Sequence, residues 1–164
     1  MGTIESFQES AARNHLDVTT KVICFMELTA DERTAQKYGF PVGSDLYYIQ
    51  RVRYVDDKPL ILDINIFLKD AVKTLTEEIA TGSIYDYLEH TVGLSIVTSK
   101  RKITVEKITE IDEKYLELSD YNCLAVVTSQ TFDADGVMFE YTQSRHRPDY
   151  FSFQDTAVRR HSIT

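Results

Sequence analysis

The chain has 164 residues, 43% of them hydrophobic, which suits one ordinary domain with its own core. Acidic residues outnumber basic ones 26 to 18, and a net charge of -8 repels a polyanion over most of the surface, which argues against direct contact with nucleic acid. Cys24 and Cys123 lie far apart with no CxxC or Cys/His cluster, there is no signal-peptide pattern, and no apolar run nears the roughly 20 residues of a membrane span. A cytoplasmic location without disulfides, structural zinc or membrane contact is the expectation.

In chain order, residues 1–16 are polar and lack apolar periodicity, so they read as a lead-in or linker stub, with the domain proper over 17–160. Residues 18–28 form a strand candidate. Thr29 followed by Glu32 predicts a capping box opening a short helix, which Gly39 ends. Segments 46–55 and 60–68 are rich in Ile, Leu, Val and Tyr, and Asp56-Asp57-Lys58-Pro59 between them is turn chemistry, so they predict a hairpin. Ser83 with Asp86 caps a helix through Tyr87 and Leu88 that closes before Gly93. A strand over 94–105 follows, then a helix capped by Thr109 and Asp112 and ending near Leu118. Segment 124–132 has the composition of a central strand, Asp135-Gly136 turns the chain, and 137–147 returns it. Residues 150–153 are a candidate last short strand. Hairpins with interspersed helices predict an α+β domain built on a mostly antiparallel sheet.

Strand alternation puts Tyr47, Ile49, Arg51, Arg53 and Val55 on one face. Two neighbouring guanidiniums suit an anionic ligand, because each forks onto phosphate or carboxylate with parallel hydrogen bonds. The alternative is a solvated pair balancing surface carboxylates. Glu140, Thr142, Ser144 and His146 likewise share a face, which either meets solvent or lines a cavity able to bind sugar hydroxyls. Ser83 is either an anion seat at a helix start or simply its N-cap. Tyr85 and Tyr87 fit the core with their hydroxyls at its edge. There is no GxSxG, HExxH, Walker or GxGxxG motif, and His15, His90, His146 and His161 are scattered. The residues therefore point to no catalytic centre, no metal and no cofactor.

Four segments stand in order along the chain: Ser6-Phe7; Tyr48-Ile49-Gln50-Arg51-Val52-Arg53 with Lys58-Pro59-Leu60; Ser83-Ile84-Tyr85-Asp86-Tyr87-Leu88; and Phe139-Glu140-Tyr141 through Arg147-Pro148-Asp149-Tyr150-Phe151-Ser152-Phe153. Together they resemble the effector-binding (UTRA) domain of GntR-family regulators of the HutC subfamily. The resemblance implies a chorismate-lyase-like fold, with a six-stranded antiparallel sheet flanked by helices, and a homodimer. It also implies that DNA is met only through a preceding winged helix-turn-helix domain, absent before Ser6 here.

By the same resemblance Arg51 and Arg53 hold the anionic end of a small-molecule effector and Ser6 and Ser83 join them. Tyr85 and Glu140 contact the remainder, with Ser144 beside them, and His146 stands where some members have Tyr. The implied function is sensing of a phosphorylated sugar. Residues 141–150 are similar to the corresponding stretch of trehalose-operon repressors, which makes trehalose 6-phosphate the leading effector and amino-sugar phosphates the next. The alternatives are a chorismate-lyase-like enzyme using Glu140 and Arg51, and a dimerisation domain without a ligand.

Overall fold

The computed structural model of the chain describes Ala12 and residues 14–159. The expected serine at position 6 and most of the lead-in lie outside the described residues. Six strands, β1 (Val18–Thr29), β2 (Asp45–Val55), β3 (Lys58–Leu68), β4 (Ile96–Lys107), β5 (Cys123–Asp133) and β6 (Met138–His146), form one sheet. Its order is β1-β2-β3-β6-β5-β4 with every neighbouring pair antiparallel. This is the α+β antiparallel sheet expected from the residues, with the six strands that the family resemblance implies. β6, the strand carrying Glu140, Thr142, Ser144 and His146, lies in the interior of the sheet between β3 and β5.

The hairpins follow from their turn residues. Asp56 and Asp57 both take positive φ, 50° and 64°, so a two-residue loop joins β2 to β3 with the twist that flanking strands require. Lys58 and Pro59 already belong to β3, which shortens the four-residue turn expected there. In the β5–β6 turn the Asp133 carboxylate accepts the N–H groups of Asp135 and Val137, each at 2.9 Å, while Gly136 supplies φ 75°.

Among the described residues five short helices flank the sheet: α1 (Glu32–Tyr38), α2 (Lys69–Val72), α3 (Glu77–Ala80), α4 (Ile84–Asp86, continued as a π-helical stretch Tyr87–Val92) and α5 (Glu110–Tyr115). The cap of α1 is Asp31, whose Oδ1 accepts the Thr34 N–H at 2.7 Å. Thr29 does not cap it: still extended in β1 opposite Asp45, it donates its hydroxyl to that carboxylate. The capping box of Thr109 and Asp112 is present on α5. That helix stops at Tyr115 because Leu116 turns extended and the Glu117 N–H bonds to the Pro59 carbonyl.

β4 starts at Ile96, two residues later than expected, because the Leu94 N–H completes the preceding helix on Leu88. Residues 150–153 form no strand. Arg147 clamps Asp149 through both carboxylate oxygens and bends the chain into a single 3-10 turn over Pro148–Tyr150. α2 and α3, four residues each, are too short to leave a periodic signal.

The two sheet faces are covered separately. On one, Tyr47, Ile49 and Phe67 with Phe139 pack under Val72, Leu75, Ala80, Ile84 and Leu88 of the α2–α4 segment. On the other, Leu46, Ile66 and Tyr141 meet Ala30 and Phe40 beside α1, and Val52, Leu62, Leu124 and Val126 meet Leu116 at the end of α5. Each fully buried Leu, Ile or Phe contributes about 1.5–3 kcal/mol relative to exposure, so the helices are held chiefly by their apolar sides rather than by their own short ladders.

Candidate effector site

Residues directly opposite in an antiparallel pair lie on the same face. The register therefore lays out the first face as rows across the strands: Thr20 with Arg53, Arg51 with Asp63 and Ser144, Asn65 with Thr142 and Ser129, and Glu140 with Thr131. The α2–α4 layer covers the apolar part of this face and ends against the polar part. There the Arg51 Nη1 donates to the Ala80 carbonyl at 3.3 Å, three residues before Ser83. The Ser83 hydroxyl accepts the Asp86 N–H at 3.2 Å, so it is an N-cap at the margin of the polar patch.

The hydrogen bonds form two short chains. Arg53 Nε donates to Asp63 Oδ2 at 2.7 Å and its Nη1 to Thr20 Oγ1 at 2.8 Å, while the Ser144 hydroxyl donates to the other Asp63 oxygen. Arg51 Nε donates to Asn65 Oδ1 at 2.9 Å, and the Asn65 amide donates to Thr142 Oγ1 at 3.2 Å. Beside them the Tyr85 hydroxyl donates to Glu140 Oε1 at 2.9 Å. Arg51, Arg53, Asp63, Asn65 and Glu140 are each no more than 5% exposed. That burial removes the solvated-arginine alternative, and the interior place of β6 removes the exposed-edge alternative for Glu140 and its row.

The fold thus brings together Arg51, Arg53, Tyr85, Glu140 and Ser144, places Ser83 at their margin, and sets His146 in the Arg53 row opposite Ile61. The His146 ring lies 5.3 Å from that of Phe151. Sequence reasoning passed over Asp63 and Asn65. Their signal was there: two polar residues inside the otherwise apolar run Leu60-Ile61-Leu62-Asp63-Ile64-Asn65-Ile66-Phe67-Leu68.

A shallow cleft on the opposite face is lined by Lys37, Tyr38, Ile64, Tyr141 and Gln143, and none of the expected site residues reaches it. Among the described residues no group of three or more His, Cys, Asp or Glu could hold a metal ion. No helix among them is long and apolar enough to cross a membrane.

Comparison with known families matches residues 13–152 to the UTRA domain. The chain belongs to the UTRA domain family. It is 35% identical over 154 residues to the HTH-type transcriptional regulator TreR of Bacillus subtilis (strain 168), covering 94% of this chain and 65% of that protein. It is 25% identical over 159 residues to the mannosyl-D-glycerate transport/metabolism system repressor MngR of Escherichia coli (strain K12), covering 97% of this chain and 66% of that protein. The effector-binding domain of the B. subtilis trehalose repressor superimposes with a TM-score of 0.78 at 35% identity, covering 87% of this chain and 99% of that one. The chain spans about two thirds of the length of these two regulators. The relatives are GntR-type transcription regulators, which points to regulation rather than catalysis.

In this UTRA domain the electrostatics of the polar patch are uneven. Burial, and then the neighbouring Arg53 charge, pull the Arg51 pKa down to about 9. Burial works against ionised Asp63, yet the Arg53 and Arg51 charges outweigh it and hold that carboxyl below its usual range. Burial raises Glu140 and lowers His146. Asp63 is thus an anion already matched to Arg53, while Arg51 makes its side-chain hydrogen bonds to neutral oxygens. Such a patch can accept a further anion at Arg51 and donate to or accept from hydroxyls along Glu140, Thr142 and Ser144.

Proposed function

We propose that this domain is the effector sensor of a HutC-type regulator and that its effector is a phosphorylated sugar, with trehalose 6-phosphate the leading candidate. One observation carries the reading: Arg51 and Arg53 are buried side by side, and Asp63 is hydrogen-bonded to Arg53 and Ser144 while Arg51 is hydrogen-bonded to the Asn65 amide and the Ala80 carbonyl. A buried cation without a counter-charge is costly, and a phosphate seated on the forks removes that cost. Arg51 and Arg53 take the phosphate, Ser83 and the lead-in Ser6 complete its seat, and Tyr85, Glu140, Ser144 and His146 meet the sugar. The trehalose repressor among the solved relatives supports a glucose disaccharide as the sugar.

In the full regulator, effector binding shifts a two-state equilibrium of a homodimer and so re-places DNA-reading heads carried by a separate domain. Only a difference in affinity between the two states can drive that shift.

Calorimetry with trehalose 6-phosphate, trehalose, glucosamine 6-phosphate and its N-acetyl form tests the reading. Trehalose 6-phosphate is expected to bind tightest. Equal affinity for trehalose and its 6-phosphate overturns the phosphate seat, whereas tighter binding of an amino-sugar phosphate replaces only the sugar. Light scattering at micromolar concentration tests the dimer, and a strictly monomeric mass overturns it.

A further inference from the structure

The two site arginines are built alike and partnered differently. Each reaches from β2 to β3 through its Nε, Arg53 to the carboxylate of Asp63 at 2.7 Å and Arg51 to the amide oxygen of Asn65 at 2.9 Å. An amide and a carboxylate have nearly the same shape, so both fix a guanidinium plane equally well, but only the carboxylate cancels its charge. The Asn65 amide is itself held by Thr142, and its residue is 3% exposed, so its oxygen is aimed at Arg51 rather than at solvent. The second Arg51 partner, the Ala80 carbonyl, is also neutral. Elsewhere in the molecule a fully buried arginine is treated otherwise: Arg145 receives both carboxylate oxygens of Asp112, at 2.9 and 2.8 Å.

We propose that Asn65 is a specificity-determining residue that fixes the Arg51 fork without neutralising it, so that the charge is reserved for the ligand and a phosphorylated sugar is selected over the same sugar unphosphorylated. The role rests on the sugar-phosphate reading of the site. Asn65 acts through Arg51 and is a positioning residue with an electrostatic consequence. Its carboxylate isostere would occupy the anion's share of Arg51 from within the protein.

The experiment compares the unaltered chain with Asn65→Asp and Asn65→Ser, titrating each with trehalose 6-phosphate and with trehalose, and recording the thermal midpoint without ligand. Asn65→Asp is expected to lose roughly ten- to a hundredfold in affinity for the phosphorylated sugar, the worth of one charge-assisted hydrogen bond, with a much smaller loss for trehalose. Its ligand-free midpoint is expected to rise, because Arg51 gains an internal counter-charge. Asn65→Ser, neutral and shorter, is expected to bind both sugars more weakly while keeping their ratio. A purely steric role predicts the reverse, an unchanged ratio in Asn65→Asp.

A folded Asn65→Asp chain that keeps the unaltered preference for phosphate, or an Asn65→Ser chain that loses it as fully as Asn65→Asp, overturns the role of Asn65 and leaves the phosphate seat standing. An unaltered chain that does not distinguish the two sugars overturns the sugar-phosphate reading, and the selectivity role with it.

Discussion

Arg51 and Arg145 are equally buried, each 4% exposed, and lie on opposite faces of one sheet. Arg145 projects from β6 toward α5 and is saturated: Asp112 accepts from its Nε and Nη2 through both carboxylate oxygens, and Glu106, Gln143 and the Lys107 carbonyl take further hydrogen bonds. Burial lowers its pKa, but the Asp112 carboxylate outweighs burial and raises it overall. Arg51 meets an amide and a carbonyl, and its pKa falls. The lesson is that burial alone does not mark a ligand seat. A buried charge gripped by a carboxylate ties elements together, whereas one hydrogen-bonded only to neutral oxygens suits the anion seat proposed above.

The largest expected effect lies on the saturated side. Asp112→Ala should destabilise the domain by about 3–5 kcal/mol, since it strands the Arg145 charge and removes the α5 capping box together. Denaturant unfolding measures it, and a loss below about 1 kcal/mol would erase the distinction between the two arginines. Next comes the side of Arg51 and Arg53. Arg51→Ala or Arg53→Ala should each cost about 1.5–3 kcal/mol of effector affinity by calorimetry. Arg51→Met, which keeps the bulk and removes the unbalanced charge, should leave stability equal or higher, and a destabilisation comparable to that of Asp112→Ala would show Arg51 to be a tie like Arg145.

Smaller effects come from titration. Burial raises the Glu140 pKa, so the folded state holds its proton at pH values where the unfolded chain has released it. Ionised Glu140 therefore costs stability as pH rises above the ordinary carboxylate range, and Glu140→Gln should raise the thermal midpoint near neutrality. That gain should vanish below about pH 4, where the carboxyl is protonated in both states. A midpoint difference that stays constant across the range would locate the effect in packing instead. His146 has the opposite sign and the smallest effect. Burial lowers its pKa, so stability should fall as pH drops through about 6.5, where the unfolded chain takes up a proton the folded one resists. A His146→Gln chain should lose that slope, and an identical slope in both chains would assign the acid sensitivity to other groups.

Much of this could be read from the residues in order. The existence of a turn at Asp56-Asp57, though expected to run on to Pro59, the Ser83 and Thr109 caps and the Asp135-Gly136 turn are local chemistry, in which each side chain satisfies or permits the backbone beside it. Strand alternation placed Arg51 with Arg53, and Glu140 with Ser144, on common faces because the side-chain period of a strand is two.

The meeting of those pairs was decided by tertiary structure. The Asp56-Asp57 turn sets Tyr54 opposite Pro59, and continuing that register would put Arg51 opposite Leu62 and turn Asp63 and Asn65 to the other face. Instead Leu60 is an extra residue, Arg53 pairs with Ile61, and Arg51 pairs with Asp63. One inserted residue reverses every side chain beyond it. It is this bulge, with the Arg147 N–H bonded to the Leu60 carbonyl across from β6, that sends an acid and an amide into the arginine patch. Local residue chemistry was enough for the six strands and the parity of each, but not for the four-residue helices α2 and α3 or for the turn over Pro148–Tyr150. The register between strands, and hence which arginine meets a carboxylate and which an amide, depends on contacts between residues far apart in the chain, and only the folded sheet supplies them.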